Sequence, residues 1–308
     1  MLRFAVPHEL DGQRLDRFLE WRIPRVDRAR AAEIIRACAF LPDGTRRKPS
    51  DRVRVGETVL LVRERFVEPE TPRDFAIVHE DEALLVLDKP AGLPVHPTAT
   101  YHRNTLTQLL AARYGERGPQ ICHRLDRETS GLVVCARPGP DEVKVKRLFE
   151  SRSVEKTYLA IVRGRVEPDA GVIDRPLRRA IGGLHLRIEA HPSGLPAVTS
   201  FEVVERGRDR SLLRLSPRTG RQHQLRVHLS SIGHPIVGDK LYGPEGEAPF
   251  LEKIERGMSE ALLARLGHGR HALHVHRLLL PHPRTGAPLV VESPLPEDLR
   301  ALWASGEP

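Results

Sequence analysis

Asp126 stands between Arg124 and Arg127, three residues after His123, in the stretch "ICHRLDRETSGLVVCAR" (121–137). A carboxylate beside cations stays ionised at cellular pH, because one close cation lowers its pKa by roughly 1 to 3 units. Such a group can act as a nucleophile. The bland alternative is a solvated ion pair, the usual fate of a loop carboxylate among arginines. Three further stretches hold more polar, specific residues than packing requires. "LDKPAGLPVHPT" (87–98) runs from a strand end at Asp88 into Pro/Gly turns and His96. "VEKTYLAIVRG" (154–164) alternates so that Lys156, Tyr158, Ala160 and Val162 share one strand face. In "PRTGRQHQLRVHLSSIGHPIVGDKLYG" (217–243), Leu225, Leu229 and Ile232 form an apolar stripe at helical spacing. His223 and Arg226, three apart on another face, can point together into a cleft.

The elements that must position these residues are short. Apolar runs at Ala83–Leu87, Leu132–Ala136, Tyr158–Val162, Phe201–Val204, Leu212–Leu215, Ala272–Leu280 and Leu289–Val291 read as strands. Helical patterns lie between them in "DEVKVKRLFESR" and "RQHQLRVHLSSIG", with Gly220 expected to end a strand and Gly233 to stop a helix. Turns rather than regular crossover helices join the strands. The expectation over residues 76–308 is therefore an α+β domain, a mixed and largely antiparallel sheet with flanking helices. Residues 1–63 read as a separate small α/β module. Leu15, Phe18 and Leu19, then Ala31, Ile34, Ile35 and Cys38, mark two short helices, followed by a hairpin and a strand over Glu57–Val62. Residues 64–75, with two prolines and mixed charge, read as a linker.

Charge narrows the partners. The 308 residues carry 49 Lys and Arg against 41 Asp and Glu, a net +8. Residues 1–65 alone hold fifteen of the cations and ten of the anions. An arginine-rich excess suits a polyanion, because Arg forks onto phosphate and stacks on bases, although biased codon usage produces the same composition. The first module is too small for a catalytic core and fits a nucleic-acid grip, with packing or dimerisation as its alternative. Cys38, Cys122 and Cys135 show no CxxC spacing and cannot all pair, as expected in a reducing compartment. No apolar run reaches membrane-span length, and a cytoplasmic, soluble monomer is expected.

Taken together, "HRLDRETSGL", "DKPAGLPVHP", "KTYLAIVRG", "TGRQHQLRVH" and "GHPIVGDKLYG" resemble, in order, the RluA-type RNA pseudouridine synthases. "HALHVHRLLLPHPRTG" and "PLPEDLRAL" resemble that family's closing segments, and residues 1–63 resemble its small ribosomal-protein-like RNA-binding module. The resemblance implies isomerisation of uridine to pseudouridine in structured RNA after base flipping, with no cofactor and no metal. It implies Asp126 as nucleophile, Arg226 as its ion-pair partner and Tyr158 as a ring stacked on the base. RNA contacts are expected from His123, Arg124, Arg127, Lys156, Arg221 and His223, with Arg124 or His123 filling the vacated stack. Large-subunit (23S) ribosomal RNA is the first substrate expected. Transfer RNA is the alternative within the class, and a non-catalytic RNA-binding or ribosome-assembly protein the alternative outside it.

Competing motifs are weak. His268, His271, His274 and His276 invite a metal reading, yet no HExxH occurs and no Asp or Glu lies between 268 and 276. "HRLD" differs from the kinase catalytic loop by Leu125, and neither DFG nor a Gly-rich phosphate loop accompanies it. Two departures from the family pattern stand out: Gln222 replaces the frequent Thr, and "LPDGTRRKPSD" replaces a shorter turn in the N-terminal module.

Overall fold

The computed structural model describes residues 2–23, 26–62, 68–98, 100–182, 184 and 186–306. Its contacts divide the chain into two compact units, 1–67 and 68–308. Residues 64–67 of the expected linker lie outside the described residues. Glu68, in the same stretch, accepts the backbone N–H groups of His102, Arg103 and Asn104 at 2.6–3.0 Å.

In the first unit β1 (Leu2–Ala5), α1 (Leu15–Arg22), α2 (Arg28–Cys38), β2 (Ala39–Phe40) and β3 (Thr58–Leu61) follow in order. The antiparallel sheet runs β1-β3-β2. Leu15, Phe18, Leu19, Ala31 and Ile35 fill its core, the stripe that helical periodicity marks out. Asp27 caps α2 by accepting Arg30 N–H at 2.8 Å, which satisfies one orphan donor of the first turn. Buried Asp16 takes Arg14 at 2.8 Å and Arg28 at 3.2 Å, which hold its carboxyl down to about 2. Arg17, Arg22, Arg30, Arg36, Arg52 and Arg54 stay exposed.

The second unit opens with β4 (Ala76–Glu80), β5 (Leu84–Lys89), α3 (Leu106–Tyr114), β6 (Gln120–Ile121), β7 (Ser130–Ala136) and α4 (Pro140–Glu150). It continues through β8 (Glu155–Arg163), β9 (Ala170–Asp174), β10 (Leu177–Arg179), β11 (Ile188–Ala190), β12 (Val198–Arg206) and β13 (Arg210–Pro217). Then come α5 (Gln224–Ser231), α6 (Ala248–Arg256), α7 (Glu260–Leu266), β14 (Leu273–Pro281), β15 (Pro288–Glu292) and α8 (Glu297–Ala304). The main sheet runs β4-β5-β7-β14-β8-β13-β12-β9, with β6 also on β7 and β15 also on β14. Every pairing in it is antiparallel except β7–β14. The α+β class and the mixed, largely antiparallel sheet are as the apolar runs predict. Two ends differ from expectation: β13 stops at Pro217 rather than Gly220, and α5 begins only after Gln222 and His223.

The one parallel pair needs close backbone approach. Gly131 on β7 lies against Val275 on β14 with φ +109, and a β-carbon there would meet the Val275 backbone. Across the sheet, Gly131, Val275, Tyr158 and Leu215 fall in one row. This row aligns the loop entering β7, the start of β8 and the loop leaving β13. Apolar residues of β5, β7 and β14 form one core, and those of β8, β13, α5 and α8 another. Tyr158 packs against both.

Candidate active site

The loop 122–129 reaches its shape through buried polar anchors. Lys89, fully enclosed, donates to the carbonyls of Pro90, Leu93 and Arg127 at 2.9, 3.0 and 3.2 Å. Burial pulls this ammonium down to about 7. Three acceptors favour the charged form, since a neutral amine has only two hydrogens to give. At the other end, Thr129 Oγ1 lies 2.7 Å from His271 Nε2 on the approach to β14.

Asp126 sits at the crest of this loop with 24% of its side chain exposed. Its Oδ2 accepts from Arg226 Nη1 at 3.0 Å, and its Oδ1 faces His223 Nε2 at 3.8 Å. Burial alone would push the carboxyl up. Arg226, followed by His223 and His271, outweighs it and leaves the group below its ordinary value. Arg226 is the partner that matters at neutral pH, because burial pulls His223 down to about 4 and His271 to about 3.

Leu225 and Leu229 of α5 are buried in the core, which turns Arg226 toward the loop. His223 is the N-cap of that helix in a left-handed conformation, φ 54 and ψ 16, uncommon for a residue with a β-carbon. Gln224 fixes the approach: its Oε1 accepts from Thr219 Oγ1 and Arg221 N, and its Nε2 donates to Val198 O and Thr199 Oγ1. His223 Nδ1 lies 2.6 Å from the Tyr242 hydroxyl, which accepts Ile188 N–H at 3.0 Å. The Tyr242 phenol is pushed up to about 12 and stays protonated. We assign its proton to the bond with Nδ1, which places the His223 proton on Nε2, toward Asp126.

A cavity of about 200 Å³ opens beside Asp126, lined by Arg124, Lys156, Tyr158, Thr219, Arg221, His223 and Arg226 among others. The Tyr158 hydroxyl has no hydrogen-bond partner among the described residues. Burial, with the Asp126 charge, pushes its phenol well above the ordinary value, so it rests protonated. Lys156 lies 5.3 Å over the Phe149 ring, pairs with no carboxylate among the described residues, and has its pKa lowered by burial. A larger groove of about 820 Å³ continues past Lys156, Arg152 and Arg218. On the other side of Asp126 a third cavity of about 450 Å³ reaches His96, Tyr101, Leu186 and Phe250.

The structure thus brings Asp126, Tyr158, Arg226, His223, Lys156 and Arg221 to one cavity. Arg124 is exposed, lines all three cavities and has no side-chain partner among the described residues. Arg127 is engaged elsewhere, with Glu128 at 3.1 Å and with the Tyr101 hydroxyl. His123 borders the groove, yet its Nε2 accepts Val134 N–H at 3.0 Å and its ring stacks on Phe149 at 4.4 Å. Gln222 is exposed. The four histidines of 268–276 disperse: His268 meets Asp298, His271 meets Thr129, and His274 and His276 both reach the Ser293 carbonyl. No group of three or more His, Cys, Asp or Glu able to hold a metal occurs among the described residues.

Sequence reasoning missed a second tier. Glu128 accepts from Lys240 at 2.8 Å and Lys253 at 3.0 Å. Against the penalty of burial, His271, Lys240 and Lys253 hold its carboxyl far below the ordinary value. Asp239, with no exposed side-chain surface, takes the Arg226 Nε at 2.6 Å and Nη2 at 2.9 Å. The signal available was the "GDKLYG" turn, whose Asp and Lys precede a Tyr without forming part of any amphipathic pattern.

A half-buried carboxylate held by arginine, a protonated tyrosine and a groove bordered by Arg124, Arg152, Lys156 and Arg218 thus meet on one mixed sheet. Comparison with known proteins gives the class. Residues 83–231 match the family described as RNA pseudouridylate synthase. The "Ribosomal large subunit pseudouridine synthase D" of Pseudomonas aeruginosa is 39% identical, over 97% of this chain and 92% of that protein. The protein of the same name from Xanthomonas campestris is 36% identical, over 98% and 91%. The solved structure of Human RNA Pseudouridylate Synthase Domain Containing 4 is 31% identical with TM-score 0.58, covering 74% of this chain and 92% of that one. The chain belongs to the RNA pseudouridylate synthase family. It is an enzyme that isomerises uridine to pseudouridine in RNA.

Proposed function

We propose that this enzyme acts on large-subunit ribosomal RNA, with Asp126 as the nucleophile toward a uridine extruded from its stack. The names of relatives that align over nearly the whole chain support the substrate. The observation that carries the chemistry is the Asp126–Arg226 contact of 3.0 Å at the mouth of the Tyr158 cavity. Isomerisation breaks the bond from ribose C1′ to N1 and forms one from C1′ to C5. The C5 hydrogen leaves as a proton and N1 gains one, so no oxidant is needed. A carboxylate kept anionic by a buried cation splits this change into two easier displacements. The Tyr158 ring supports the freed pyrimidine, and its unpartnered hydroxyl is placed to pass a proton. Flipping a uridine out costs a few kcal/mol of stacking. Arg124, exposed and unpaired above the cavity, is the side chain free to fill the gap. The basic N-terminal unit serves as an additional RNA grip, through exposed residues such as Arg17, Arg30 and Arg54.

The test is to incubate the full chain with deproteinised bacterial large-subunit RNA and, separately, with bulk transfer RNA, and to map new pseudouridines. Conversion in ribosomal RNA by the native chain, lost in Asp126→Asn, is expected. Conversion confined to transfer RNA would overturn the substrate, and conversion by Asp126→Asn at the native rate would overturn the nucleophile.

A further inference from the structure

We infer that the cavity on the far side of Asp126 is a subsite for an uncharged nucleobase, that of the nucleotide next to the target uridine in the same RNA. The inference rests on the proposed entry of that uridine into the Tyr158 cavity, and it concerns a different pocket. The two cavities meet at Asp126, with Arg124, His223 and Arg226 on their shared wall. Tyr158 lines the first and not the second. A ribose brought to Asp126 with its base against Tyr158 therefore leaves the second, of about 450 Å³, to a neighbour along the strand.

Charge decides between a phosphate and a base as its occupant. Arg127 and Lys240 both hold Glu128, at 3.1 and 2.8 Å, and Arg226 holds Asp126 and Asp239. Among the described residues that line the cavity, Arg124 at its rim is the one unpaired cation. The groove past Lys156 is the opposite. There Arg152, Lys156 and Arg218 have no carboxylate partner among the described residues. Open cations draw the phosphates to that groove. A flat, largely apolar ring suits the cavity, whose walls include Val95, Tyr101, Leu186, Leu241 and Phe250.

These walls are anchored. Phe250 packs partly against Leu177, Ile188, Leu241 and Tyr242, and Lys253, one turn further along α6, ties that helix to Glu128 at 3.0 Å. Tyr101 is held through its hydroxyl, which accepts from Arg127. His96 supplies a polar edge. The Thr107 hydroxyl gives its proton to the Val95 carbonyl at 2.9 Å, so the 3.1 Å bond to His96 Nδ1 is donated by the ring. Burial, then the charges of Arg124 and Lys146, lowers the His96 pKa and keeps the ring neutral. Its Nε2 is left as a lone-pair acceptor with no partner among the described residues, able to take an N–H from the edge of a base.

The experiment first maps the uridine that the full chain converts. Short RNAs spanning it are then made in which the base on the 5′ or the 3′ side is replaced by hydrogen, with the backbone intact. Single-turnover conversion at sub-saturating enzyme is compared for the native chain and Phe250→Ala. Removing one of the two neighbouring bases is expected to slow the native chain about tenfold, the size of one stacked base. Phe250→Ala should lose about as much on the intact RNA, yet less than about threefold more on the abasic one, because both changes remove the same contact. Its binding should fall with salt as steeply as that of the native chain, since no phosphate contact is lost. Native conversion that ignores both abasic changes, equal fractional losses in the two enzymes, or a shallower salt slope in Phe250→Ala would overturn the inference. If Phe250→Ala does not fold, Leu186→Ala, at a wall position 36% exposed, carries the same comparison with the same outcomes. Asp126→Asn on the intact RNA separates the two failures. An inactive Asp126→Asn beside uncoupled losses defeats this inference alone, whereas an active Asp126→Asn defeats the nucleophile itself.

Discussion

Replacing Glu128 by Gln should destabilise the catalytic unit by about 3 kcal/mol, the low end of the cost of breaking a buried ion pair from one side. The magnitude follows from who loses a partner. Lys240 has 4% of its side chain exposed, and with an amide in place of the carboxylate its ammonium keeps only neutral acceptors, among them the Gly238 carbonyl at 3.3 Å. Lys253 and Arg127, at 27% and 37%, recover water and contribute little. For a unit of this length 3 kcal/mol corresponds to a melting-point fall of about 6–12 °C. The assay is urea unfolding followed by Trp303, which is buried and donates to Glu205 at 3.0 Å, in a Trp21→Phe background that silences the other unit's exposed indole. Glu128→Gln combined with Lys240→Met should recover part of the loss, since no buried charge is then stranded. The pH sign is fixed by the depressed carboxyl. The stabilisation is complete above the ordinary value of 4.5 and is lost as pH falls toward the native one, so mutant and native curves converge in acid. A single mutant within about 1 kcal/mol of native, or a double mutant no better than the single, refutes the reasoning.

Acid should unfold the catalytic unit early, because His123, His223 and His271 are held neutral down to about 3, 4 and 3. Below their ordinary value of 6.5 the unfolded chain takes up protons that the native one refuses. Each histidine then removes about 1.4 kcal/mol of stability per pH unit as pH falls. The urea midpoint read from Trp303 should drop steeply from pH 6.5 to 4, and a flat profile there contradicts the neutral assignments. Gly131→Ala should cost on the order of 3 kcal/mol, because the β-carbon meets the Val275 backbone at an unfavourable φ. A melting point unchanged from native would show that the β7–β14 approach tolerates a side chain.

What could be read from sequence depended on the range of the interactions. Leu225, Leu229 and Ile232 announce α5 because a stripe is a local pattern, and all three pack against the core. The seven apolar runs coincide with strands for the same reason. Short or polar strands escape, as β9 and β10 do, since "AGVID" and "LRR" bury few side chains. His223 and Arg226 do converge on Asp126. His223 does so from a left-handed cap rather than from a helical face, a backbone state that residue spacing does not encode. Asp126 and Arg226 were legible by motif, whereas their supports were not. Glu128 with Lys240, and Thr129 with His271, join residues 112 and 142 positions apart, and no periodicity connects them. Arg127 and His123 show the converse, since residue type alone cannot tell an arginine committed to a neighbouring glutamate from one left open like Arg124.

β14 lies between β7 and β8, in the middle of the sheet, although it is drawn from residues 273–281. A chain growing from the ribosome therefore completes the loop of Asp126 and the strand of Tyr158 long before the segment that welds them together has been made. Until that late segment slots in, the nascent polypeptide has two half-sheets with open edges and no working catalytic centre. A chain cut before β14 would leave the Asp126 loop and the Tyr158 strand on separate half-sheets, without the row that aligns them.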